Sequence, residues 1–499
     1  MIKITVNGRE VEADPARPLI DACHDNGAHV PHYCYHRALS PVGSCRICQV
    51  EVQQGDMPAR VVAACRTPVA EGMVVNTEAE RAHGARKECL EFILKNHPLD
   101  CPICDKAGEC TLQDNAYAEG QDKCRSVEPR RGLAKRKSLG DVIVLDQERC
   151  ILCSRCVRFM EEVPKTPQLA IVGRGVHSRV ETWQDEPLSG NYQGNLADVC
   201  PVGALTLKGF RFQARVWNLR KTASTCPECS RGCSVTVEVL RNGEIKRVRP
   251  RRNADVNGFW MCDEGRLAFR TDAKLARLAG ALLSNGGNLD PTGAARVIEV
   301  TVDLLATAPP ALLLASPFIT NEEAVVLQKL AVASGGRAAF VARDAESAAA
   351  DTILRTGDPC PNRRGLTEAG LEQLSPAAAA AALAGAGSAL LLGERIAATI
   401  GPDALAALPT TLRLVLFDTH LPEPAIPALN ACLGIPDWSE RSGTWRNIDG
   451  HHGQLLPARP APSGTRPLAA TLAVLADLVI PINGSPQVAA HDMSTEVSQ

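Results

Sequence analysis

The stretch Asn96–Cys110, NHPLDCPICDKAGEC, sets His97 ahead of Cys101, Cys104 and Cys110, with Pro98 and Pro102 on either side of the first cysteine. Four soft or borderline ligands this close in sequence can close a metal site with little loop entropy to overcome. A tetrahedral zinc accepts one His and three Cys. So does an iron–sulfur cube in which imidazole replaces one thiolate. This stretch alone leaves both open.

Three more sets flank it. Cys34, Cys45, Cys48 and Cys65 are spaced C-x10-C-x2-C-x16-C, with Gly43 and Ser44 in the loop. Cys150, Cys153 and Cys156 form a C-x2-C-x2-C triplet in CILCSRCVRF, with Cys200 in ADVCPVGAL as the fourth candidate. Cys226, Cys229 and Cys233 in CPECSRGC pair with Cys262 in CDEGR. Fifteen of the 20 cysteines, with His97, thus fill four sets and leave none half-coordinated. Ferric iron bridged by sulfide needs charge-donating soft ligands, and thiolates supply them. Glycine nearby lets backbone N–H groups approach the sulfurs. A zinc-stapled, non-enzymatic scaffold is the distant alternative, poorly served by gaps as wide as Cys156 to Cys200. Cys23, Cys89 and Cys124 fall outside the sets and are read as structural, Cys23 as a small buried apolar side chain.

The bulk properties set limits. A chain of 499 residues holds two to four domains. A composition 45% hydrophobic and 22% charged, with formal net charge −2, argues against nucleic-acid binding. MIKITVNGRE contains no apolar signal core, and no run reaches the ~18–20 apolar residues of a membrane span. Membrane association is therefore expected only through partners. In a long chain without an export signal, closely spaced cysteines are read as metal ligands rather than disulfides. No G-x-G-x-x-G follows a strand, so no NAD or flavin site is expected, and no catalytic residue is assigned.

The elements that position these ligands alternate in type. Asn7-Gly8 predicts a hairpin between Ile2–Val6 and Arg9–Ala13, followed by a helix over Leu19–Asn26. A strand over Arg46–Val52 completes a small β-grasp sheet that would hold the first set. A helix over Glu78–Asn96 delivers the chain to His97. The basic stretch Gln121–Lys137 reads as a solvated face or a contact with an acidic subunit. A strand is expected over Asp141–Leu145, and a hairpin turning at Asn242-Gly243. Beyond Asp272, segments such as ALLLAS, NEEAVVLQKLA and SALLLGE alternate strand with helix and predict a parallel α/β layer, with an alanine-rich helix from Pro376. His451 and His452 are read as surface loop residues.

The row HPLDCPICDKAGEC with TLQDNA resembles the His/Cys3 segment of the large iron–sulfur subunits of respiratory NADH:quinone oxidoreductase (complex I). NAD-linked hydrogenases and formate dehydrogenases carry the same segment. The Cys34–Cys65 region resembles plant-type ferredoxin domains, though not with the spacing of soluble ferredoxins. The Cys150 triplet with Cys200 resembles half of a bacterial ferredoxin, and Leu188–Leu196 holds no second triplet. Residues 217–272 resemble the N-terminal 4Fe–4S domain of molybdopterin oxidoreductases, and PFITNEEAVVLQKLA and GTWRNIDGHHGQ resemble pieces of their larger domain. In active members a lysine commonly stands two residues after the last cluster cysteine; here Glu264 stands there.

The resemblance implies an α+β and α/β multidomain chain: a 2Fe–2S ferredoxin-like domain (1–78), a His/Cys3 4Fe–4S domain (79–139), a ferredoxin-type 4Fe–4S domain (140–216), a molybdopterin-oxidoreductase-type 4Fe–4S domain (217–272), a shortened α/β domain (273–480) and a flexible tail (481–499). It implies one 2Fe–2S cluster on Cys34, Cys45, Cys48 and Cys65. It further implies three 4Fe–4S clusters: on His97, Cys101, Cys104 and Cys110; on Cys150, Cys153, Cys156 and Cys200; and on Cys226, Cys229, Cys233 and Cys262. No molybdopterin is expected. In that family the first three clusters lie on the electron route and the fourth lies off it. The implied partners are an FMN- and NADH-binding subunit, a small 2Fe–2S subunit and quinone-proximal cluster subunits of the peripheral arm, on the cytoplasmic side of a bacterial inner membrane. The alternative is the relay subunit of a soluble NAD-linked hydrogenase or formate dehydrogenase.

Overall fold

The computed structural model describes residues 1–272, 275–306, 311–346 and 349–483. The chain forms two compact units. The first comprises Met1–Arg220 with Leu240–Asn242 and Phe259–Arg266; the second comprises Lys221–Val239, Gly243–Gly258 and the chain from Leu267.

In the first unit, Asn7 and Gly8 take φ of +49° and +80° and turn β1 (Ile2–Val6) into β2 (Arg9–Ala13). These are the positive values that a two-residue hairpin needs. The sheet runs β2–β1–β5–β3–β4, with β3 (Gln49–Gln53), β4 (Arg60–Ala63) and β5 (Val74–Asn76). Only the β1–β5 pair is parallel. Helix α1 (Leu19–Asp25) buries Leu19, Ile20 and Cys23 against Ile4, Val50 and Val52, so Cys23 is a small apolar filler, as its isolation predicts. The strand predicted over 46–52 begins instead at Gln49. Arg46, at φ +55°, bends the chain between Cys45 and Cys48.

Helix α2 (Glu80–Asn96) starts two residues later than predicted and ends where His97 turns extended. Arg86, fully buried, locks it in place. Its guanidinium donates to Gln49 O at 2.9 Å, to Thr77 O at 2.7 Å and to Glu119 of α3 (Thr111–Glu119) at 2.8 Å. The strand expected over 141–145 shortens to Ile143–Leu145, which pairs with Leu205–Leu207 and Lys137–Ser138. The basic stretch is mostly exposed, and three of its cations find acidic partners within the unit: Arg125 pairs with Glu88 and Glu91, Lys135 with Asp100 and Glu148, and Lys137 with Asp185. Helix α4 (Arg155–Glu162) follows the triplet loop.

The second unit opens with a three-stranded sheet of Arg220–Thr225, Ser234–Val239 and Ile245–Pro250. Gly243 takes φ +85° in the predicted hairpin turn. An eight-stranded sheet follows, in the order 288–292, 281–285, 429–434, 413–418, 388–392, 312–315, 337–341, 372–374. The last six are mutually parallel. Both faces are covered, as parallel sheets require. Leu313 and Ala315 point to a core with helices Asn321–Ser334 and Leu468–Asn483, while Leu312 and Leu314 point to another with Pro376–Ala384 and Ile396–Ile400. That last long helix covers residues 481–483 of the predicted tail; 484–499 lie outside the described residues.

Helix Asn321–Ser334 carries a complete capping box. Thr320 Oγ1 accepts from Glu323 N at 3.2 Å, and the Glu323 carboxylate accepts from Thr320 N at 2.8 Å. Gly335 closes the helix at φ +66°. Losing a cap of this kind costs about 1 kcal/mol. Thr320→Ala is therefore expected to lower the unfolding free energy of the second unit by about that amount, read as a lower urea midpoint at unchanged slope.

Candidate iron–sulfur sites

None of the twenty cysteines is in a disulfide. Among the described residues no three His, Cys, Asp or Glu side chains converge as they would around a single metal ion. A polynuclear cluster asks for something different, ligands spaced around a larger volume.

In the first set the four thiols act on one another: hydrogen bonding with Cys45 and Cys65 lowers the pKa of Cys34, hydrogen bonding with Cys65 lowers that of Cys48, and the same interactions raise Cys45 and Cys65. Cys34 N donates to the Cys45 sulfur at 3.4 Å. At Gly43, φ is +69° and an added Cβ would fall 2.7 Å from the Arg66 side chain, so the loop passes close to the residue after Cys65. Ala64 N donates to Cys48 O at 2.9 Å and ties the turn after β4, which carries Cys65, to the end of loop 34–48.

In the second set, His97 caps α2. Its Nδ1 is buried and has no hydrogen-bond partner. Burial, with Arg149 nearby, pushes its pKa down to about 4, so at neutral pH the ring is uncharged and keeps a lone pair for a ligand. Cys101 and Cys104 are joined by the short turn Cys101–Ile103; Cys101 is exposed, while Cys104 and Cys110 are buried. Burial raises Cys104 and pushes Cys110 up to about 11.

Cys150, Cys153, Cys156 and Cys200, the third set, line one small cavity with Leu145 and Val180. The triplet loop is wound tightly, with Leu152 at φ +53° and Ser154 at φ +59°. These left-handed values cost a non-glycine residue roughly 1–2 kcal/mol each. They aim the three sulfurs inward, and Leu152 N donates to Cys150 Sγ at 3.4 Å. Burial pushes Cys150 up to about 12 and Cys153 up to about 11, and it raises Cys156 well above an ordinary thiol. Buried thiols that resist ionisation favour a site in which a cation replaces the proton.

The fourth set has members in both units. In the second unit Cys226 N donates to Cys233 O at 2.9 Å, and the loop between them is held by Ser230 N to Asp358 O, also at 2.9 Å, and by Arg231 Nε to Leu354 O at 3.1 Å. In the first unit Cys262 is buried and accepts from Gly265 N at 3.4 Å. Asn195, whose amide donates to Met261 O at 2.8 Å, holds the preceding residue. Glu264 is exposed. His451 and His452 are also exposed, and His452 begins the strand His452–Leu455 rather than lying in a loop.

Several contributors escaped the sequence reading. Gly203, three residues after Cys200, lies against the second set: a Cβ there would collide with Cys104 Sγ. Arg149, beside Cys150, pairs with Asp100, beside Cys101, at 2.9 Å. The second and third sets are thus neighbours. Arg155 and Arg158 stand in CILCSRCVRF, where the cysteines dominate the pattern; their spacing on one helix face ahead of Glu162 is the available signal.

Four family descriptions match in the order of the four sets: a 2Fe-2S iron-sulfur cluster binding domain over residues 1–80, the NADH-ubiquinone oxidoreductase-G iron-sulfur binding region over 86–125, the ferredoxin-like domain of NADH-quinone oxidoreductase subunit 3 over 140–206, and the molybdopterin oxidoreductase Fe4S4 domain over 219–271. The G subunit of the NADH-quinone oxidoreductase of Rickettsia bellii is 36% identical over 310 residues, which is 62% of this chain and 45% of that one. Over its first 271 residues the chain is similar to this family of NADH-quinone oxidoreductase G subunits. The mitochondrial 78 kDa subunit of NADH-ubiquinone oxidoreductase of Neurospora crassa is 40% identical over 292 residues, 58% of this chain and 38% of that one. The matched stretch spans less than half the length of these relatives. A chain of a NAD+-reducing [NiFe]-hydrogenase in the H2-reduced state is 29% identical, with 43% of this chain and 91% of that one covered and a TM-score of 0.39, too low to carry an argument.

The tight approach at Gly203 gives a test. Gly203→Ala is expected to overpack the junction and destabilise the first unit by about 1–3 kcal/mol. The thermal midpoint should fall and Cys104 should become more reactive toward a thiol reagent; an unchanged midpoint and unchanged reactivity would contradict the packing described.

Proposed function

We propose that this chain is an electron relay: it takes single electrons from a flavin-bearing, NADH-oxidising partner and hands them on through its clusters toward quinone, within an assembly that couples the flow to proton translocation. The observation that carries this is the closure of the ligand sets. Four groups of four soft ligands stand in family order, and the second and third meet at Gly203. In this reading Cys34, Cys45, Cys48 and Cys65 hold a 2Fe–2S cluster beneath a β-grasp sheet. His97, Cys101, Cys104 and Cys110 hold a 4Fe–4S cluster, with the uncharged imidazole of His97 as one ligand. Cys150, Cys153, Cys156 and Cys200 hold another, in a half-ferredoxin fold. Cys226, Cys229, Cys233 and Cys262 hold the last, off the main route. The domains follow the divisions at 78, 139, 216 and 272. The clusters supply reversible one-electron chemistry; the chain supplies ligands, burial and N–H groups directed at sulfur, which set their potentials.

The α/β layer after residue 272 is read as a scaffold without molybdopterin, a reading supported by Glu264 at the lysine position of active molybdopterin enzymes. Partners are taken to be an FMN subunit, a small 2Fe–2S subunit and quinone-proximal cluster subunits, at the cytoplasmic face of a bacterial inner membrane. Among the described residues no helix is long and apolar enough to cross a membrane, so attachment is assigned to those partners.

Native purification of the tagged full chain from detergent-solubilised membranes tests the placement. Co-purifying FMN and membrane subunits are expected; a soluble complex containing a nickel or molybdenum subunit would overturn it. At the level of single residues, His97→Cys is expected to retain its cluster with a lowered midpoint potential, because thiolate donates more charge than imidazole. An unchanged potentiometric titration would rule out His97 as a ligand.

A further inference from the structure

Helix α4 turns one face toward two ligand loops at once. Arg155, Arg158 and Glu162, three and then four residues apart, share that face. Arg155 is 8% exposed. One of its terminal nitrogens donates to Val199 O at 3.2 Å, next to Cys200, and the other donates to Tyr35 O, next to Cys34. Arg158, 6% exposed, donates to Cys34 O at 2.5 Å, to Cys153 O at 3.4 Å and to Ser40 O, while its Nε reaches Ser154 Oγ at 3.2 Å. Glu162 completes the clamp by accepting from Ser40 N at 2.9 Å and Ser40 Oγ at 2.5 Å.

Two buried guanidinium groups need anionic partners, since carbonyls alone do not repay the loss of hydration. Among the described residues neither Arg155 nor Arg158 has a carboxylate within ion-pair distance. Arg155 Nε has no hydrogen-bond partner at all. The carbonyls that the two guanidinium groups bind belong to, or directly adjoin, candidate ligand cysteines of both sets: Cys34 and Tyr35 in one, Cys153 and Val199 in the other.

Resting on the relay reading above, we propose that Arg155 and Arg158 are the shared counter-charge of the 2Fe–2S and ferredoxin-type 4Fe–4S clusters, positioning residues that fix the two sites against each other and hold both potentials up together. A cation beside a cluster stabilises the form with one more electron. One pair of side chains that serves two sites therefore ties their potentials to a common element.

The test is an EPR-monitored redox titration of the full chain with its clusters, comparing wild type with Arg155→Gln, Arg158→Gln and Arg155→Lys. Each Gln variant is expected to move the midpoints of both signals to more negative potential and to leave the His97-set signal in place. Arg155→Lys, which keeps the charge but lacks the fork spanning Tyr35 and Val199, is expected to stay close to wild type in potential while losing thermal stability and cluster retention. If Arg155→Gln does not fold, Arg158→Gln and the Lys variant carry the comparison. Unmoved midpoints, a shift confined to the 4Fe–4S signal, or a Lys variant that shifts as far as Gln would each overturn the shared counter-charge. Absence of both signals from the wild type would overturn the relay reading itself.

Discussion

The constraint on which the first half of the chain depends is the cost of keeping sulfur anions inside protein. Burial pushes Cys110, Cys150 and Cys153 up to about 11 or 12, well above an ordinary thiol. No such group gives up its proton unless something positive takes the proton's place. The surrounding structure directs donors and positive charge toward several of these sulfurs. Backbone N–H groups of Cys34, Leu152 and Gly265 point at sulfurs, and guanidinium groups stand behind the ligand loops. The neutral ring of His97 offers a ligand that needs no deprotonation at neutral pH.

This constraint explains why the local backbone is wound so tightly. Arg46, Leu152 and Ser154 all take left-handed conformations within two residues of a candidate ligand cysteine. Such strain persists only where the surroundings over-determine it, and here the surroundings are rigid elements. Arg86 bolts α2 to the first sheet, and the Ser40–Glu162 bonds hold α4 to the loop that carries Cys34. The second unit, in contrast, is conventional: strands buried on both faces, helices on each side and a complete capping box.

Much of this was legible in the sequence because each signal is local. Asn7-Gly8, the helix leading to His97 and the alanine-rich helix from Pro376 are set by nearest neighbours, and they formed within a residue or two of expectation. The cysteine sets could be named as candidates because spacing along the chain is visible in one dimension. What escaped is what depends on chain segments far apart. The contact of Gly203 with Cys104 spans about a hundred residues, and Arg158 reaches across more than a hundred to Cys34. The strand expected at Arg46 failed because a ligand loop overrode β propensity with a left-handed turn. The basic stretch after Gln121 is an exposed face, as its composition suggests, but its acidic partners Glu88, Glu91 and Asp100 sit in other segments and could not be named from the sequence.

The most direct test of the central claim, that these sets hold iron–sulfur clusters and not zinc, is metal and acid-labile sulfide analysis of the anaerobically purified full chain, combined with EPR after dithionite reduction. The account predicts a brown protein with iron and sulfide in equal amounts, one 2Fe–2S signal and additional fast-relaxing 4Fe–4S signals. A colourless protein carrying zinc without sulfide, and silent on reduction, would contradict it.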